Sequence, residues 1–176
     1  MSVHVLEQLV RKRGLDIQVS FAAEAARQLG PRPAAVPETS PRGLRLLAEN
    51  ERQLAETVAT LRHYYPDALD VGELRVRYRD DPEPAEPIMC AVIDAQRSHL
   101  ALLRANLLQR RAVLRDCEAR DGNAMPGRVL LCAHVPLIEL LGYDIELAFL
   151  CDGDASLDMR FSHYAPLHGG GPDGAA

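Results

Sequence analysis

Lysine is nearly missing from this chain: of 20 basic Lys and Arg residues, Lys12 is the only lysine. That scarcity excludes any chemistry needing a lysine in the body of the protein. No GxxxxGK[ST] phosphate loop occurs, and no glycine-rich loop precedes a helix. The serine-hydrolase pattern GxSxG and the metalloprotease pattern HExxH are missing too. The residues read as those of a protein that is not a nucleotide hydrolase, and no catalytic group or cofactor is expected. Long apolar runs are also lacking. None reaches the ~18–20 residues of a membrane span, so no membrane association is expected. At the N-terminus the basic residues follow the apolar ones, the reverse of a secretory signal, and the expected location is cytoplasmic. The four cysteines, Cys90, Cys117, Cys132 and Cys151, include no CxxC pair. Zinc sites usually draw two ligands from one such turn, so no metal is expected.

What is present suffices for one domain or two small ones. The chain has 176 residues, 47% hydrophobic and 26% charged, with a net charge of −5. That balance excludes a polycation that coats nucleic acid but leaves room for a local basic stripe.

In the first half, Val3, Leu6, Leu9 and Val10 share a helical face, predicting a helix over 3–13 closed by Gly14. LDIQVSF (15–21) alternates and predicts a strand, and AAEAARQLG a short helix ending at Gly30. Residues 30–42 carry four prolines and read as a loop. RGLRLLA (42–48) fits either a strand or a helix start. Asn50 and Gln53 form a plausible capping box, and Leu54, Val58, Leu61 and Tyr65 predict a helix that Pro66 ends. ELRVRYR (73–79) alternates strictly, with Leu74, Val76 and Tyr78 on one face and Glu73, Arg75, Arg77 and Arg79 on the other. The acidic, proline-rich DDPEPAEP (80–87) reads as a hinge.

In the second half, strands are expected at 88–94, 112–120, 128–135 and 156–164, with helices at 97–111 and from Pro136 onward. DGNAMPG (121–127) reads as a hairpin turn, CDGDA (151–155) as a tight turn and HGGGPDGAA as a tail. The resulting β-α-β-β-α-β order is the signature of the ferredoxin-like, split βαβ fold, a four-stranded antiparallel sheet with two helices on one face.

Specific strings carry more than the fold. Glu86-Pro87-Ile88-Met89, Arg110-Arg111, Val135-Pro136-Leu137, Leu141-Gly142-Tyr143 and Met159-x-Phe161-Ser162-His163-Tyr164 appear in order over residues 86–164. This stretch resembles the C-terminal domain, domain V, of the elongation factor G family. Residues 51–80, ending in Val76-Arg77-Tyr78-Arg79, resemble the second half of that family's domain III. Residues 6–20 fit its first helix and second strand, with 21–41 as an insertion.

The resemblance implies an α+β chain of tandem ferredoxin-like units, the first left open as incomplete. A domain III-like unit at 1–80, a hinge at 81–87, a domain V-like unit at 88–168 and a tail at 169–176 are expected. The family's GTPase domain would be missing. The family's Gly-Arg-Gly turn, associated with ribosomal RNA contact, is replaced here by Asp152-Gly153-Asp154, which would repel phosphate. The first helix also lacks the family's Gly-Asp pair.

The expected function is a non-catalytic module associated with the ribosome or a translation factor. Arg75, Arg77, Arg79, Arg110 and Arg111 are the candidate phosphate contacts, since the planar guanidinium binds phosphate bidentately. The alternative is a protein-interaction module that docks on a separate translational GTPase or on itself. Asp152, Gly153, Asp154 and His163 are its candidate contacts.

Overall fold

A computed structural model describes residues 3–80, 82–115 and 127–167. Residues 116–126, within the expected second strand and hairpin turn of the C-terminal half, and the tail at 169–176 lie outside them. The chain divides into two compact units, Met1–Arg77 and Tyr78–Ala176.

The first unit runs β1 (Leu6–Lys12), α1 (Val19–Gln28), β2 (Val36–Ser40), β3 (Gly43–Ala48), α2 (Glu51–Tyr64) and β4 (Leu69–Val76). Its sheet order is β2-β3-β1-β4, with every neighbouring pair antiparallel. This is the full split βαβ set, so the first unit is not incomplete. Several local expectations fail within it. Within residues 3–13, Leu6–Lys12 form a central strand rather than a helix, and β1 pairs on both sides. Leu6 and Val10 are four apart, a spacing that places them on one face of a helix and of a strand alike. The sheet on either side decides between the two.

The alternating stretch at 15–21 is not a strand. Leu15, Ile17 and Val19 are exposed, Ile17 at 75%, and α1 has begun by Val19. Gln18 organises this turn: its side chain accepts from the Lys12 N–H at 2.9 Å and donates to the carbonyls of Lys12 and Leu15. Residues 21–41 are no insertion, because they supply α1 and β2.

The α2 start follows its sequence. The Asn50 side chain accepts from the Gln53 N–H at 3.0 Å, and the Gln53 side chain accepts from the Glu49 N–H. Leu54, Val58, Leu61 and Tyr65 are all buried. Gly43 lies where β3 meets β1, and a Cβ there would sit 2.5 Å from the Val10 carbonyl oxygen.

The second unit runs β5 (Ala85–Gln96), a 3-10 turn (Arg97–His99), α3 (Leu100–Gln109), β6 (Val113–Arg115), β7 (Arg128–Pro136), a 3-10 turn (Leu137–Leu140), α4 (Tyr143–Leu150) and β8 (Ala155–Pro166). The sheet order β6-β7-β5-β8 repeats that of the first unit. Ala85, Glu86 and Pro87, expected in the hinge, belong to β5. Pro136 ends β7 instead of opening a helix. The chain passes through the 3-10 turn that buries Leu137 and Leu140, then Leu141 in extended geometry and Gly142 at φ 69°, before α4 begins.

The core of this unit lies between the sheet and α3 and α4. Met89, Ala91, Ile93, Leu131, Ala133 and Val135 point from the strands toward Leu103, Leu107, Tyr143 and Leu147. The alternate residues of these strands make up the opposite, open face of the sheet. No described helix is long and apolar enough to cross a membrane.

Candidate functional site

The open face of the second sheet holds a groove of about 330 Å³. Strand register builds it. Ile88 stands opposite Pro136 on one side and His163 on the other, Glu86 stands opposite Ala165, and Val113 opposite His134. Ile88 and Pro136 are buried and form an apolar floor, while Arg111, Arg115 and His163 are exposed at the rim. A shift in register between Ile88 and Met89 skips Ser162 and brings His163, rather than its neighbour, into this row.

The electrostatics of the groove are asymmetric. Glu86 is its one carboxylate, its side chain 3% exposed, and Arg111 neutralises it through two hydrogen bonds of 2.9 and 3.1 Å. Arg111 also reaches Glu139 at 3.0 Å, from a left-handed backbone at φ 57°. His134 and His163 meet edge to face at 5.6 Å. Burial, then the nearby Arg115 and His163, push the His134 imidazole below its ordinary pKa, favouring the neutral ring. The His134 Nδ1 is buried without a hydrogen-bond partner. The site therefore offers one guanidinium, Arg115, and two imidazoles above apolar walls. Such a surface can receive an anionic or aromatic group. Among the described residues, no cluster of three or more His, Cys, Asp or Glu is arranged to hold a metal ion.

The arginines singled out by the sequence fall into different settings. Arg110 ties α3 to α4: it pairs with Glu146, donates to the Glu139 carbonyl, and lies 4.8 Å from the centre of the Tyr143 ring. Arg110, then Asn106, hold the Glu146 carboxyl below its usual range, and burial pushes the Tyr143 hydroxyl up to about 12. Arg111 is committed to Glu86 and Glu139. Arg75 and Arg77 belong to the first unit. Arg77 donates to the His4 carbonyl and lies 3.8 Å from Glu7, whereas Arg75 is exposed on β4. Around them the open face of the first sheet is a mesh of exposed pairs, Arg11 with Asp70 and Arg45 with Glu38 and Glu7. Arg79 belongs to the second unit and lies over the Tyr164 ring at 5.2 Å.

The acidic turn and His163 are separated. Asp152 and Gly153 take left-handed geometry at φ 51° and 78°. Asp154 accepts from Gln96 and from Arg128, at 3.0 Å for the latter, and these hydrogen bonds hold its carboxyl below the usual range. His163 lies further along β8, ~30 Å from Asp154 at strand rise. One of the two carboxylates of this turn is therefore largely compensated within the fold.

Arg111 and His163 are thus the two singled-out residues that the structure brings into one groove. Arg115 and His134 complete it. The sequence signal for His134, an imidazole alternating with apolar residues, is equally that of a satisfied strand histidine.

Fold and groove together define a tandem ferredoxin-like α+β protein with a grooved open sheet face in its second unit. The family model of the elongation factor G C-terminus matches residues 83–173, and the chain belongs to that family. The mitochondrial ribosome-releasing factor 2 of Danio rerio is 34% identical over 83 residues, 47% of this chain and 10% of that protein. Elongation factor G of Granulibacter bethesdensis is 33% identical over 86 residues, 49% of this chain and 12% of its own. The bovine ribosome-releasing factor 2 is 28% identical over 88 residues, 50% of this chain and 11% of its own. The chain thus spans about a tenth of the length of these relatives, and the matched model is that of the C-terminus rather than the GTPase domain.

Proposed function

We propose that this chain is a non-catalytic, cytoplasmic, translation-factor-like module that associates with the ribosome or with a translational GTPase. The observation that carries this reading is the match of the elongation factor G C-terminal model to residues 83–173. Relatives named for ribosome release and for elongation support it. Phosphate contact falls to the arginines whose donors are available, Arg75 and Arg79 foremost, with Arg115 at the groove rim. Arg77 and Arg111 contribute charge while paired, and Arg110 acts through the α3–α4 junction. Ribosome co-sedimentation at rising salt tests the reading. Pelleting at low salt that falls steeply as salt rises is expected. Failure to pellet at any salt, or micromolar affinity for GTP, overturns it.

The second reading, docking on a protein, is favoured by a specific feature of the second unit. Its helices expose Leu102, Leu108, Ile145 and Phe149, the last at 82%. A helix apolar on its outer as well as its inner face is suited to being covered. A stoichiometric protein complex that survives high salt is the outcome that selects it.

A further inference from the structure

Strand β8 is the longest unpaired sheet edge among the described residues: 12 residues that pair with β5 alone. An open edge of this length is a template for another strand, and proteins usually blunt it with charges, bulges or cover. Here the charges have a particular order. Ser156-Leu157-Asp158-Met159-Arg160-Phe161-Ser162 reads almost the same in both directions about Met159. In an antiparallel pairing of this segment with itself, centred on Met159, Ser156 faces Ser162, Leu157 faces Phe161, Asp158 faces Arg160, and Met159 faces its own copy.

We propose that β8 is a self-recognition edge, on which a second copy of this chain adds antiparallel through residues 156–162. Charge complementarity is the first argument. Asp158 and Arg160 lie on the open face of the sheet, 58% and 72% exposed, and bond to each other at 3.0 Å within one chain. The two-fold axis doubles every contact, because an isologous interface pairs residue i with j and j with i. The Asp158–Arg160 pair therefore forms twice across the axis, exchanging the two local pairs, one in each copy, for two intermolecular ones. Any register shifted by one residue places charges against Leu157, Met159 or Phe161 and moves the apolar set to the wrong face.

The second argument is the apolar side of the strand. Leu157, Met159 and Phe161 point toward the helix layer yet remain half-buried, because β8 has a neighbour on one side only. A second copy supplies the missing cross-strand partners, Leu157 against Phe161 twice and Met159 against Met159 on the axis. The result is a continuous eight-stranded sheet, with the groove at His134 and His163 present once in each copy.

Sedimentation equilibrium of the full chain tests this with charge reversals. Wild type is expected to be a dimer. Asp158→Arg alone, or Arg160→Asp alone, sets like charges opposite each other twice and is expected to weaken dimerisation about tenfold or more. The double variant Asp158→Arg/Arg160→Asp restores opposite charges and is expected to regain the dimer. Both positions are exposed, so circular dichroism should show every variant folded. In an independent test, Met159→Cys is expected to oxidise to a cross-link between two copies of position 159, identified by peptide mass spectrometry. A monomeric wild type overturns the proposal. So does a dimer that both single reversals leave unchanged, or a double variant no stronger than the singles. None of these outcomes depends on ribosome binding, so the two readings fail separately.

Discussion

The two units share one strand order but dress it oppositely. In the first, the helices bury their central apolar residues, Phe21, Ala22 and Ala25 of α1 and Leu54, Val58 and Leu61 of α2, leaving Val19 and Tyr64 exposed at their ends, while Arg52, Glu56, Arg62 and His63 face outward. Its open sheet face is a mesh of arginine–carboxylate pairs. In the second, α3 and α4 present Leu102, Leu108, Ile145 and Phe149 on the outside, and the open sheet face has an apolar floor. Exposed pairs of the first kind contribute about 0–1 kcal/mol each and keep a surface solvated. Apolar surface left on both layers of the second unit fits a body that docks. The same fold thus carries a charge-paired surface in one unit and a more apolar one in the other.

The comparison breaks first at the buried carboxylate. Arg111→Ala leaves Glu86 buried without its partner, and a loss of about 3 kcal/mol from the second unit is expected. Hydrogen-exchange mass spectrometry should show the loss in residues 82–167 alone. Equal loss in the first unit would mean that the two do not fold as separate bodies. Gly43→Ala is the counterpart in the first unit. Its Cβ would meet the Val10 carbonyl oxygen from a backbone at φ 141°, and about 2 kcal/mol of destabilisation confined to residues 3–77 is expected.

Next come the two helix starts, which use different devices. Asn50→Ala removes the side-chain cap of α2 and should cost about 1 kcal/mol by urea unfolding. Gly142→Ala forces a side chain into left-handed geometry before α4, in open space, and about 1 kcal/mol is expected there too.

The His134 effect is smaller. Its folded-state pKa lies below the unfolded value, so the native state binds fewer protons than the unfolded chain as pH falls. Its contribution is fully present above about pH 6.5 and is lost as pH drops through the lowered folded value. His134→Gln should flatten that acid loss in urea midpoints measured between about pH 7.5 and pH 5. The smallest expected change in stability is that of Phe149→Ser, within about 0.5 kcal/mol. If the outer helix face is a docking surface, the same variant nevertheless loses its protein partner in a pull-down.

How far the residues announce this arrangement differs between the units for a physical reason. The second unit has strands whose inner faces read as near-continuous apolar runs, and family strings at fixed intervals, so its element order was readable. Its errors lie at boundaries. Pro136 suits a first helical turn by its missing N–H and fixed φ, yet pairing with Ile88 keeps it in the sheet until the 3-10 turn buries Leu137 and Leu140. In the first unit the apolar spacing of β1 is compatible with helix and strand, and the alternation at 15–21 is left exposed because Gln18 ties the loop to Lys12 and Leu15. Of the groove, Arg111 and His163 were visible as motif residues. Arg115 and His134 were not, because nothing in their neighbours marks which strand lies beside which.

Composition and local pattern alone determined the α+β class, the helix from Asn50 to Tyr65 and the four-strand, two-helix order from residue 88, and the motif strings carried the family resemblance of residues 86–164. These rest on short-range periodicity and on strings that survive without knowledge of the fold. Only the tertiary structure decided that residues 6–12 are a central strand. It alone decided that Arg110 and Arg111 spend their donors on Glu146, Glu139 and Glu86, and that His134, His163 and Arg115 share one groove. Strand pairing and ion-pair choice depend on which distant residues become neighbours, and a linear pattern does not carry that information.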